Sequence, residues 1–227
     1  MMTAGMGIIM LSVVLARGNK ALLAQFVLGG ELLYLAAYPL AAFLLVEAVC
    51  HTASRKKLFL RLFLIGLVAE IPMDFGLLGI ENWKSWLTVQ NYFFVLALGV
   101  GVISLVEHLN RKYGDGFLYN MLTLVIYIAA AFLAFALRLD QGSVGILTIV
   151  ALYLCRGRKL FSLVFVELLY FLNMYSMGIY ALVPGLSILL TFLYNGQPGE
   201  NAKKHRQLLY MLYPMTVCAI HCLLYFV

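Results

Sequence analysis

The sequence predicts an all-α fold: a polytopic integral membrane helix bundle of about eight to nine transmembrane helices, several of them short, in a single domain spanning 1–227. Three observations lead there. Of the 227 residues, 64% are hydrophobic and 11% charged, too little polar surface to coat a water-soluble globule. The apolar residues fall in runs at 3–16, 32–50, 58–72, 87–106, 117–137, 144–155, 160–174, 179–193 and 207–226. Lys and Arg gather in alternate turns between those runs, as the charge bias of membrane topology requires.

Taken in order, the run at 3–16 follows no basic n-region and precedes no small-residue cleavage site, so it reads as a retained segment; whether it crosses decides only the side of the N-terminus. Residues 21–31, ALLAQFVLGGE, read either as a re-entrant turn or as the start of the second span. The runs at 32–50 and 58–72 flank the basic turn Ser54, Arg55, Lys56 and Lys57, which belongs in the cytosol. Pro72 lacks an N–H and disfavours helical geometry at Ile71, so the third run is expected to break close to Glu70 and Asp74. The runs at 144–155 and 160–174 fall short of the roughly 20 residues of an unaided crossing, so they are expected to be shielded by neighbouring helices.

The basic turns at Arg55 to Lys57, Arg111 and Lys112, Arg156 to Lys159, and Lys203 to Arg206 lie on one side, and the segments 73–86, 138–143 and 173–178 on the other. This places the protein in the cytoplasmic membrane with the N-terminus inside and the C-terminus outside, Arg17 and Lys20 being a mild violation. The net charge of +6 is thereby a topology signal, and nucleic acid is not an expected partner. Cys50, Cys155, Cys218 and Cys222 lie in or beside apolar runs without zinc-site or disulfide-scaffold spacing, and no metal is expected, even beside His221.

Charges within apolar runs are costly unless paired or facing water, so Glu47, Glu70 and Glu167 stand out. Glu47 and His51 are four residues apart and share a helix face, which lets them hydrogen-bond or exchange a proton at the cytoplasmic rim, or merely cap the helix. Glu167 either lines a polar cavity or braces the bundle by bonding a Tyr, Asn or Arg. Asn91 and Asp140 either line an outer vestibule with Glu70 and Asp74 or serve as helix caps. In LYNGQPGENAKKHR the Asn-Gly and Pro-Gly pairs set turns, and the basic residues after them suit anionic lipid or phosphate.

The segments AYPLAAFLLVEAVCHT, RKKLFLRL, AEIPMDF, QNYFFVLALG, DQGSVGILTI, LYNGQPG and KKHRQLLYMLYP, strung from about Tyr34 to the C-terminus, resemble the TraX family, named for a conjugation protein that acetylates the amino terminus of F-type pilin. The resemblance implies a membrane-embedded acetyltransferase that moves an acetyl group from acetyl coenzyme A to an amine or hydroxyl acceptor on a peptide, a pilin-like protein, a lipid or a glycan. On that reading His51, Glu47, Glu70 and Asp74 are the catalytic candidates. Arg55, Lys56, Lys57, Asn195, Lys203 and Lys204 would hold the donor, and Asn91, Asp140 and Glu167 would line the substrate path. The sequence departs from the family in two places: the first helix reads GIIMLSVVLA where an Asp-His pair is usual, and Tyr34-Leu35 stand where Gly-Arg is usual. These departures favour the alternative, a non-catalytic accessory subunit that binds a membrane protein partner.

Overall fold

The computed structural model describes residues 20–78 and 90–194. It is helical, and the only pairing of extended backbone among the described residues is one isolated bridge between Gln90 and Leu139. Among the described residues seven α-helices follow one another: α1 Lys20–His51, α2 Arg55–Leu78, α3 Tyr92–Tyr113, α4 Phe117–Ala136, α5 Gly142–Leu154, α6 Lys159–Asn173 and α7 Val183–Ile188. Short 3₁₀ turns at Tyr175–Leu182 and Leu189–Leu193 flank α7.

Four segments are long and apolar enough to cross a bilayer: Leu28–His51, Tyr92–Tyr113, Phe117–Ala136 and Tyr175–Leu193. The described residues therefore support four of the eight to nine expected spans, and the runs at 3–16 and 207–226 lie outside them. The shortfall has physical causes. α2 carries Arg55, Lys56, Lys57, Arg61, Glu70 and Asp74, and α5 and α6 have 13 and 15 residues, about 20 Å of helix against a hydrocarbon core of about 30 Å. The expected run at 179–193 is present within the crossing-length segment Tyr175–Leu193, α-helical over Val183–Ile188 with 3₁₀ turns on either side.

Of the two readings of residues 21–31, the start of the second span holds, whereas the expected break in the third run does not. Residues 21–31 are neither a turn nor re-entrant; they are the first turns of α1, which also runs through Pro39. α2 does not break near Glu70 but continues past Pro72 to Leu78. A proline removes one backbone hydrogen bond, and membrane helices tolerate that loss where neighbouring groups re-satisfy the freed carbonyl.

The short α5 is shielded as its length demands. It packs on α1, α3, α4 and α6, and Ile146, Thr148 and Ile149 are completely buried. Close approach depends on glycine: a β-carbon on Gly145 would sit 2.8 Å from the Tyr38 hydroxyl, and one on Gly99 2.6 Å from Ile149 Cδ1. α4 is peripheral. Thr123, Ala130 and Ala134 make its inner stripe at helical spacing, while Val125, Ile128, Phe132 and Phe135 are exposed. Small residues inside and large apolar ones outside are the pattern of a helix whose outer face meets lipid tails.

Candidate functional site

Three junctions converge at one end of the bundle. α1 ends at His51, and the turn after it is closed by Thr52, whose hydroxyl accepts the Ser54 amide at 3.4 Å. Ser54 then starts α2, its hydroxyl accepting the Lys57 amide at 3.4 Å and its carbonyl the Leu58 amide at 3.2 Å. Arg55 reaches across to Glu107 on α3 at 2.6 Å and back to the Val49 carbonyl at 3.3 Å. Arg156, in the α5–α6 turn, donates through Nε to Glu47 at 3.1 Å. Lys159 donates to the Phe192 and Tyr194 carbonyls at 3.3 and 3.2 Å, which brings the end of the last 3₁₀ turn to the same rim. The three described basic turns predicted to share a side thus share an end; Lys203 to Arg206 lie outside the described residues.

At this rim Glu47 and His51 meet as their spacing predicts, Nε2 lying 3.3 Å from Glu47 Oε2. The same Nε2 is 3.3 Å from Arg156 Nη2. A guanidinium only donates, so the Arg156 contact requires a lone pair on Nε2 and puts the neutral ring's proton on Nδ1; the Glu47 contact requires a proton on Nε2. The neutral ring protonated on Nδ1 therefore pairs with Arg156, and the ring protonated on Nε2, neutral or as the imidazolium, pairs with Glu47. From Thr52, the residue after His51, a basin of about 840 Å³ opens, with Glu47, His51 and Arg156 outside its lining. Arg55, Lys56 and Arg111 supply its charge, and the His108 ring and the hydroxyls of Thr52, Ser54 and Ser104 give it polar walls.

Sequence reasoning missed Glu107, Arg156 and His108 as members of this site. Glu107 holds Arg55 and accepts from the Tyr153 hydroxyl at 3.3 Å; its signal was available, a carboxylate one residue beyond an apolar run. Arg156 carried none, because a basic turn explains itself by topology. Lys56 and Lys57 are exposed at the rim. Asn195, Lys203 and Lys204 lie outside the described residues.

Glu70 is elsewhere. It stands 15 residues beyond Arg55 on α2, about 22 Å along the helix, so Glu47, His51 and Glu70 do not form one constellation. Glu70 accepts from the Asn91 backbone amide at 3.1 Å and from the Asn91 side chain. Asn91 also donates to the Gly66 carbonyl at 2.7 Å and caps α3 by accepting from the Phe93 amide at 3.0 Å, so it both caps a helix and ties it to α2. Asp140 is brought to the same end: Gln90 donates to the Arg138 carbonyl at 2.9 Å, and Asp140 donates to the Gln90 carbonyl at 2.7 Å. The side chain of Asp74 lies outside the described residues.

Asp140 does not cap α5, whose N-cap is Gln141 in left-handed geometry without a side-chain cap bond. Its carboxyl Oδ2 is sealed from solvent without a hydrogen-bond partner among the described residues, as are the Tyr38 and Tyr170 hydroxyls. Burial pushes the Asp140 carboxyl up to about 7, against hydrogen bonds from Gln141 that pull it down. Glu167 on α6 lies against Gly185 of α7, and its Oε1 is buried without a hydrogen-bond partner among the described residues. A β-carbon on Gly185 would fall on that carboxylate.

Apolar helices with lipid-facing outer surfaces, and a charged rim around a polar basin at one end, define a helical membrane protein with a polar site at the membrane boundary. The family described as TraX protein matches residues 10–224, and the chain belongs to it. No curated protein and no solved structure matches the chain.

Proposed function

We propose that the protein is a membrane-embedded acetyltransferase that binds acetyl coenzyme A in the rim basin and transfers the acetyl group to an amine or hydroxyl acceptor. The observation that carries this reading is the basin itself, where Arg55, Lys56 and Arg111 face one cavity beside the exchangeable trio of Glu47, His51 and Arg156. Clustered guanidinium and ammonium groups suit the phosphates of a nucleotide donor. The size of the basin suits a ligand of that class.

In the reaction the acceptor nitrogen or oxygen attacks the thioester carbonyl, the new C–N or C–O bond forms, the C–S bond breaks, and the thiolate leaves. His51 takes the acceptor's proton. Uptake at Nε2 switches its partner from Arg156 to Glu47, so the carboxylate stabilises the imidazolium as it forms. The proton then returns to the departing thiolate. Orientation with the basin in the cytosol follows from the positive-inside bias and matches a cytosolic donor.

The test is acetyl transfer by purified protein in one detergent. His51→Ala should lower turnover by about two to four decades, while His108→Ala, in the basin wall, should raise the donor KM with a smaller change in kcat. Undiminished turnover in His51→Ala removes the base assignment. The departures at residues 7–16 and at Tyr34-Leu35 favour the second reading, a non-catalytic partner-binding subunit. A wild type that binds its partner without any donor turnover would establish it.

A further inference from the structure

We infer that the groove between α2 and α4, floored by α3, is a binding site for one anionic phospholipid, with an acyl chain along its length and the headgroup phosphate on Arg138. α2 and α4 both pack on α3, and the furrow over α3 encloses about 530 Å³. One wall is aromatic and ordered: Phe59 stacks on Phe63 with centroids 6.1 Å apart, and Phe63 meets Phe94 edge-on at 5.6 Å. Ala97 and Ala136 line the furrow with small side chains where larger ones would fill it. Phe59 and Phe63 are more than a third exposed, so the furrow opens to where lipid tails lie.

Its polar end is built differently. Gln90 and Arg138 close the furrow at the end away from the rim basin. Arg138 is held in left-handed backbone at φ 53°, a region that relaxes in glycine and is uncommon for a long side chain. Two backbone hydrogen bonds fix it there, its carbonyl accepting from Gln90 at 2.9 Å and its amide donating to Phe135 at 3.0 Å. Its side chain is exposed, and the ion pairs found among the described residues leave it without a carboxylate. It also stands in a turn that the charge bias assigns to the basic-poor side. A cation on a fixed backbone, at the end of an apolar furrow, is complementary to a single molecule with an anionic head and a hydrocarbon tail. This inference is independent of the rim chemistry.

The experiment is native mass spectrometry of the detergent-purified protein after delipidation and addition of phosphatidylglycerol or phosphatidylcholine. Wild type should retain one phosphatidylglycerol about fivefold more than phosphatidylcholine, which is what one basic side chain beside an anionic headgroup contributes. Arg138→Gln should erase that preference and keep weak binding of both lipids, whereas Ala136→Phe, filling the furrow from an exposed position on α4, should reduce retention of both. Far-ultraviolet circular dichroism of each variant separates loss of the site from loss of the fold. Equal retention of both lipids by wild type and both folded variants would show annular lipid only and overturn the site. Retention of neither lipid by wild type would also overturn it, the furrow then being closed by the chain's own segments.

Discussion

The carboxyl of Asp140 sits between Gln141, which donates to Oδ1 at 3.5 Å, and a sealed space into which Oδ2 offers an acceptor. Tyr170 on α6 is the titratable neighbour there. With its carboxyl raised to about 7, Asp140 keeps its proton in the folded protein between about pH 4 and 7, where the unfolded chain has already lost it. The folded state binds the extra proton, so stability should fall as pH rises through that window and level off above it. Thermal unfolding in detergent from pH 5 to 8 checks this: the wild-type midpoint should drop across the range, and Asp140→Asn should flatten the profile. Parallel slopes would show that another group is responsible. At this scale the sequence showed Glu47 with His51, because an i, i+4 pair is set by the helix alone. The ties of Arg156 to Glu47 and of Arg55 to Glu107 span 109 and 52 residues and exist only once helices pack. Glu70, Asn91 and Asp140 were each visible as polar residues near run ends, but the bond from Asn91 to Glu70 and the backbone bond from Asp140 to Gln90 depend on how α2, α3 and the α4–α5 turn meet.

Among the elements, α5 is the most constrained, since a 13-residue helix at the centre must be approached closely on every side. A methyl on Gly145 would meet the Tyr38 hydroxyl at 2.8 Å, Gln141 Cβ at 2.9 Å and Val95 Cγ1 at 3.0 Å. Tyr38 and Val95 are completely buried, so none of the three can withdraw cheaply. A β-carbon on Gly99 instead meets only aliphatic side chains, closest to the terminal Ile149 Cδ1 at 2.6 Å, then Ile149 Cγ2 at 3.1 Å and Leu45 Cδ2 at 3.4 Å. Gly145→Ala should therefore destabilise by about 1–3 kcal/mol of overpacking and Gly99→Ala by less, read as unfolding in mixed detergent. The reverse order would mean that α5 yields more readily than its neighbours. Most helix positions were legible from hydropathy: 117–137 and 144–155 became α4 and α5 within two residues at each end. The failures have named causes. Proline was read by its rule for soluble helices, and α2 runs through Pro72. The apolar run at 179–193 is α-helical only over Val183–Ile188, which Pro184 opens, with 3₁₀ turns on either side.

Over the whole molecule, charge and polar chemistry divide between two ends. The rim end holds Glu47, His51, Arg55, Glu107, Arg111 and Arg156; the other holds Glu70 tied to Asn91, with Asp140 beside Gln90. In a cysteine-free background, a cysteine at Ser54 should be labelled by an impermeant thiol reagent only from the cytosol and one at exposed Leu137 only from outside. Labelling of both from one side would end that topology. The central claim is that the rim basin receives acetyl coenzyme A, and calorimetric titration of the donor into purified protein tests it most directly. Wild type should bind with one-to-one stoichiometry, and Arg111→Ala, which loses an exposed basin cation with only a 3.9 Å contact to Glu107, should weaken binding about tenfold or less without unfolding the bundle. His51→Ala should bind the donor nearly as well as wild type. No heat of binding in wild type, or an affinity unchanged in Arg111→Ala, would contradict the account.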